Sequence, residues 1–94
     1  MKIHELLATP DQFCREHYAL DYYGVIIPPT CDTAVKWSIV GAAIKCYGGG
    51  DSVNNAVDDV LLTIQVEAGC LSIWDYTATV HFDDLQYLLK HLDV

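Results

Sequence analysis

At 94 residues and 52% hydrophobic, the chain suits one domain with a modest core and is too apolar to be disordered. No apolar run approaches the ~20 residues a membrane-spanning helix needs, and the opening Met1-Lys2-Ile3-His4-Glu5 lacks the apolar stretch of a secretory leader, so a soluble intracellular protein is expected. The formal net charge of −8 repels phosphate backbones and argues against direct nucleic-acid binding.

Residues 2–8 predict a short first helix with Ile3, Leu6 and Leu7 on one side. Thr9-Pro10-Asp11-Gln12 reads as a second helix start: threonine caps, proline fits the first helical position, and Gln12 stands where a capping box takes Glu or Gln. The helix predicted over 10–18 turns Phe13, Cys14 and His17 or Tyr18 inward. Residues 19–29 change character. Asp21-Tyr22-Tyr23-Gly24 has turn chemistry, Val25-Ile26-Ile27 is short and β-branched, and Pro28-Pro29 lack the amide hydrogen a ladder needs. A short irregular hairpin or extended arm is predicted there.

The central helix is predicted over 34–47, AVKWSIVGAAIKCY, where Ile39, Val40, Ala43, Ile44 and Tyr47 recur at helical spacing. Asp32 or Thr33 supplies its cap, and Gly48-Gly49-Gly50 ends it through left-handed glycine. Gly41-Ala42-Ala43 forms a narrow waist where a neighbour can approach closely. The next helix is predicted to start at an Asp51-Ser52 cap and run to about residue 67, burying Val53, Val57, Val60, Leu61 and Ile64. Asn54, Asn55, Asp58, Asp59 and Gln65 fall mainly outside that stripe, and Gly69 ends the helix. Residues 70–74 alternate weakly and predict an extended connector. The last helix begins near His81, with Thr79 as cap and Leu85, Leu88, Leu89 and Leu92 inward. Asp83 and Asp84 in its first turn favour the positive end of its dipole. The predicted fold is a single domain over 1–94, mainly α, a compact bundle of about four helices with a short irregular hairpin or extended arm.

Thr9-Pro10 followed by Phe13, the polar arm from Tyr18 to Pro28, and Trp37-Ser38-Ile39-Val40-Gly41-Ala42-Ala43 fall in a distinctive order. This order resembles a family of small bacterial and phage proteins of undefined function, whose central helix carries an aromatic-Cys-Leu-x-Gly-Ala-Leu signature. Here Ser38 stands in the cysteine's place and Ala43 replaces the final leucine. The family's Asn-Asp pair before the last helix is reduced to Trp74-Asp75. The resemblance implies a helical fold and a phage or bacterial setting, hence the cytoplasm of a bacterial host cell. It implies no activity.

The charge is uneven. Residues 1–50 carry four basic and five acidic side chains, a net of −1; residues 51–94 carry only Lys90 against eight acids, a net of −7. Such a surface suits a basic protein partner, including one that ordinarily holds nucleic acid, although charge of this size also serves solubility alone. The four cysteines, Cys14, Cys31, Cys46 and Cys70, are widely spaced without a CxxC pair and are expected as reduced thiols. Cys14 and His17 have ligand spacing for zinc, completed by Cys31 or Cys46, but a second short-spaced couple is missing and no metal is expected. No cysteine sits in a recognisable nucleophile turn beside a histidine. Asp58-Asp59 and Asp83-Asp84 are adjacent on helices and project about 100° apart, so neither pair faces one substrate. The glycine triplet is followed by Asp51, which repels phosphate.

The sequence therefore points to a small acidic protein-binding module without catalysis or cofactor, of the phage-inhibitor type, docking on a basic, nucleic-acid-binding surface of a host defence protein. The expected contact residues are Asp58, Asp59, Glu67, Asp83 and Asp84, with Tyr22 and Tyr23 as aromatic anchors. Two alternatives stand beside it: a self-associating dimer built on the arm or the last helix, and a thiol- or metal-dependent protein. In a bland reading of the arm, its tyrosines simply roof the core.

Overall fold

Pro10 opens a single 3-10 turn and no longer helix. The computed structural model describes residues 1–48 and 55–94, and in it Gln12 performs the predicted capping, its Oε1 accepting from the amides of Ala8 at 3.1 Å and Thr9 at 3.2 Å. The turn spans Pro10–Gln12, after which Phe13 is extended and bridged in parallel to Trp37. The amide of Cys14 then donates to the Trp37 carbonyl at 3.0 Å. The helix predicted over 10–18 is therefore corrected: the capping signal starts one turn, but pairing with a distant strand wins the next residues. Before this turn, α1 (Ile3–Leu6) is the short first helix, with Ile3 and Leu7 completely buried.

Two strands follow, β1 (Ala19–Asp21) and β2 (Ala34–Trp37), paired antiparallel with Ala19 opposite Trp37, Leu20 opposite Lys36 and Asp21 opposite Ala34. The predicted central helix loses its first turn to β2. Alternating pleat geometry does not hold in this strand: Ala34 and Trp37 are buried while Val35 and Lys36 are exposed, because Val35 is an extra residue of β2 with no partner, bulged opposite the step from Leu20 to Asp21. The Trp37 indole N–H is satisfied by the Pro29 carbonyl at 3.0 Å. Between the strands the chain makes a hairpin. The Asp21 carboxylate accepts from the amides of Tyr23 at 2.8 Å and Val25 at 2.9 Å, and Gly24 takes φ +80°.

Helix α2 (Ile39–Tyr47) is capped by Ser38, whose hydroxyl accepts from the Gly41 amide at 3.2 Å; Asp32 and Thr33 lie in the turn before β2 and are not the cap. The narrow waist is real and is occupied by β1's approach: a Cβ on Gly41 would lie 1.8 Å from the Tyr18 carbonyl oxygen. Gly48 follows α2 in an extended conformation, φ −78°, so the helix does not end through a left-handed residue there. Gly49, Gly50, the Asp51-Ser52 cap, Val53 and Asn54 lie outside the described residues.

Helix α3 (Asn55–Ala68) buries Val57, Val60 and Ile64, with Leu61 partly covered. Its end matches the prediction at Gly69, which takes φ +68° while the amides of Gly69 and Cys70 return to the carbonyls of Val66 and Gln65. The predicted connector is instead the start of α4 (Ile73–Thr79). Its innermost residue is a threonine, Thr77, so the helix lacks an apolar stripe that sequence periodicity can detect. Thr79 belongs to α4, donating its hydroxyl to the Asp75 carbonyl at 2.8 Å, and caps nothing in α5 (Phe82–Leu92). In α5, Leu85 and Leu89 are completely buried and Leu88 and Leu92 partly so.

Among the described residues the protein is thus mainly helical, five helices with one small antiparallel sheet. Helix α2 packs on α1, α3 and α4, and α5 closes the core against α1 and α3. Ile3, Leu7, Ile39, Ile64, Leu85 and Leu89 form the innermost layer, each worth ~1.5–3 kcal/mol of transfer free energy. Gln86 ties α5 to α1 by donating to the carbonyls of His4, at 3.3 Å, and Leu7. Arg15 donates to the carbonyls of Thr77 at 3.2 Å and Val80 at 2.7 Å, satisfying groups that the end of α4 leaves without helical partners.

Candidate interaction surface

Helix α3 turns one face to the core and the other to solvent because its buried apolar residues recur at 57, 60 and 64 while its acids, at 58, 59 and 67, fall outside that series. On the outward face Asp58, Asp59 and Glu67 are all exposed. Two apolar residues share that face: Leu62 is 59% exposed and Val66 67%, about one and two turns on from Asp58 in the series 58, 62, 66. Just past the helix Leu71 stands 98% exposed, its carbonyl held by Gln65 Nε2 at 3.1 Å. Asp83 and Asp84 are exposed in the first turn of α5, which packs on α3.

None of these five acids is paired with a cation among the described residues. The ion pairs there centre on Asp93, which lies 2.9 Å from Lys2 Nζ and 3.7 Å from His4 Nε2. Helix α3 itself contains no basic residue. The structure therefore gathers Asp58, Asp59 and Glu67 on one helix and Asp83 and Asp84 on its neighbour, with their charge uncompensated locally.

Tyr22 and Tyr23 are placed elsewhere, at the tip of the hairpin between β1 and Ile26. They are 83% and 85% exposed and meet edge to face, ring centres 5.4 Å apart. They do not roof the core. Tyr22 borders an open depression of about 560 Å³ whose other walls are Asp11 and Gln12 of the 3-10 turn and the whole of β2, Ala34 to Trp37. Tyr18, also of the arm, packs edge to face on Trp74 at 5.2 Å.

The thiols are dispersed, and all four are free. Cys14 is buried and donates to the His17 carbonyl at 3.3 Å, so the Cys14-x-x-His17 spacing is used for a backbone contact. Burial pushes the thiols of Cys14 and Cys46 up from their ordinary range. Cys31 moves the other way, lowered by hydrogen bonding to Thr33, whose Oγ1 is 3.2 Å from its sulfur. Among the described residues no three His, Cys, Asp or Glu side chains converge in a geometry that could hold a metal ion, and no helix is long and apolar enough to cross a membrane.

Leu62, Val66 and Leu71 escaped the sequence reading as surface residues. For the first two the signal was present: both fall outside the 57-60-64 series. Nothing local marks Leu71. No protein-family model matches the chain, and no curated protein or solved structure matches it significantly.

Proposed function

We propose that the protein is a binding module that docks the acidic outer faces of α3 and α5 on a basic surface of another protein, of the kind that ordinarily holds nucleic acid. The observation that carries this reading is the group of five exposed acids, Asp58, Asp59, Glu67, Asp83 and Asp84, with no intramolecular cation among the described residues to neutralise them. Solubility requires only scattered charge. Here exposed Leu62 and Val66 share the outer side of α3 with Asp58, Asp59 and Glu67, and apolar area beside a polar rim is the usual anatomy of a contact patch. The rim steers the encounter and the apolar centre holds the complex. In the bacterial or phage setting that the resemblance implies, such a module is an inhibitor of a host defence protein, occupying the surface that its nucleic acid would use.

The test compares affinity purification from bacterial cells by the tagged chain and by a variant carrying D58N, D59N, D83N and D84N together. The expected result is a partner retained by the parent chain, lost from the variant and released as salt rises above physiological strength, because the Debye length then falls below about 8 Å. Identical retention by both proteins overturns the reading. A purified partner whose nucleic-acid binding is undisturbed by the module overturns the inhibitor part of it.

A further inference from the structure

The hairpin arm is hydrogen-bonded on one side only. The Asp21 amide donates to the Val25 carbonyl at 3.0 Å, and the Ile27 amide donates to the Ala19 carbonyl at 3.2 Å. Leu20 and Ile26 oppose one another between these two bonds. In an antiparallel ladder a residue so placed turns its own amide and carbonyl away from its neighbour strand. Among the described residues neither the N–H nor the C=O of Ile26 has a hydrogen-bond partner. The side chains around this free edge are apolar and wet: Tyr23 is 85% exposed, Val25 55% and Ile26 61%. An unpaired backbone edge bearing exposed apolar side chains is a template for strand addition.

Charge and symmetry select the strand that is added. Residues 22–30 carry no charged side chain, in a chain whose net charge is −8. The nearest acid, Asp21, has its carboxylate occupied within the turn by the amides of Tyr23 and Val25. A second copy can therefore approach here without setting acid against acid, which contact through α3 or α5 would do. A residue whose amide and carbonyl both point outward can also pair with itself across a two-fold axis, each copy donating one bond and accepting one. The ladder cannot lengthen beyond that pair. Pro28 has no amide hydrogen, and the Gly24 amide is already committed to the Asp21 carbonyl at 3.0 Å.

We propose that the protein forms a two-fold dimer in which the Ile26 edges of two copies pair antiparallel, with Tyr23 and Val25 packing around the junction. The dimer uses the single free edge of each arm, so it closes and does not polymerise. It leaves the outer faces of α3 and α5 open and is independent of what they bind.

Sedimentation equilibrium on the full chain, with reductant to keep the thiols free, tests this from about 10 μM to about 1 mM. The expected result is a reversible monomer–dimer equilibrium. Ile26→Lys weakens it by at least about tenfold, and Leu71→Ser, at a still more exposed apolar site elsewhere, leaves it unchanged. A monomer at every concentration overturns the proposal, and so does a dimer indifferent to Ile26→Lys. Hydrogen exchange on the unmodified protein gives a reading that depends on no variant. The Ile26 amide slows as concentration rises while the exposed Tyr22 amide does not; an Ile26 rate independent of concentration overturns the pairing.

Discussion

The buried hydroxyl of Thr77 accepts a hydrogen bond from the backbone amide of Ile39 at 3.2 Å. This contact joins α4 to the first residue of α2, across 38 positions of sequence. The amide of Ile39 begins a helix and has no partner within it. Ser38 covers the Gly41 amide and Thr77 covers that of Ile39, so the start of α2 is capped from two parts of the chain.

Thr77→Val keeps the volume and removes the acceptor. The Ile39 amide is then buried without a partner, which costs about 1–3 kcal/mol. Urea unfolding should show a lower midpoint with little change in slope.

Gly41→Ala improves helix propensity by ~1 kcal/mol, yet the variant should be strongly destabilised. Its methyl group would stand 1.8 Å from the Tyr18 carbonyl, and backbone on backbone has no rotamer to relieve it. A loss of at least about 3 kcal/mol is expected, from the upper end of overpacking costs. Gly69→Ala is the control: its Cβ meets nothing within 4 Å, and only the left-handed φ of +68° opposes it, at about 1 kcal/mol. Thermal melts of both variants beside the parent chain should rank them in that order.

The thiols should react in an order set by their surroundings. Cys31, partly exposed and lowered by Thr33, is alkylated first at neutral pH, while buried Cys14 and raised Cys46 lag. Thr33→Val slows Cys31 toward an ordinary thiol. Peptide mapping after timed alkylation measures each rate. The same shifts predict a pH effect on stability. For Cys14 and Cys46 the folded state prefers the neutral thiol, so their contribution is full below the unfolded thiol pKa and is lost as pH rises through the raised folded value. Cys14→Ala should flatten the alkaline limb of a stability–pH profile.

Lys2 and Asp93 bind the two ends of the chain together, Nζ to Oδ2 at 2.9 Å, beside the bond from the Ile3 amide to the Val94 carbonyl. The Lys2 hydrogen bond holds the Asp93 carboxyl below its usual range, and the Asp93 hydrogen bond raises Lys2. The Asp93 contribution is present above the unfolded carboxyl pKa and is lost as pH falls through the lowered folded value. The Lys2 contribution is present below the unfolded amine pKa and is lost as pH rises through the raised one. Both groups are solvent-exposed, so Lys2→Met should remove a small, salt-sensitive pH dependence at both extremes, read from melting temperatures at low and high ionic strength.

Much of the second half was legible in the sequence because its helices announce themselves locally. The 57-60-64 series, Gly69 after α3, and the leucines and paired acids of α5 each act within a turn or two of the same helix. The acidic surface was legible for the same reason: charges lying off a buried stripe face water. The first half obeys longer-range rules. Ala34 to Trp37 continue a helical pattern, and only the partner strand Ala19–Asp21 makes them β2. Phe13 follows a good helix start, and only Trp37 draws it into an extended bridge. Helix α4 is buried through a polar residue whose reason for being inside lies on α2. The open edge at Ile26 has the same origin, since β-branched composition is visible in sequence but the side of the strand left unpaired is not. Composition and periodicity by themselves determined the acidic charge, the stripes of α3 and α5 and the stop at Gly69; the tertiary structure decided where strand replaces helix, which groups cap α2 and which edge stays free, because each of those depends on hydrogen bonds between residues far apart in the chain.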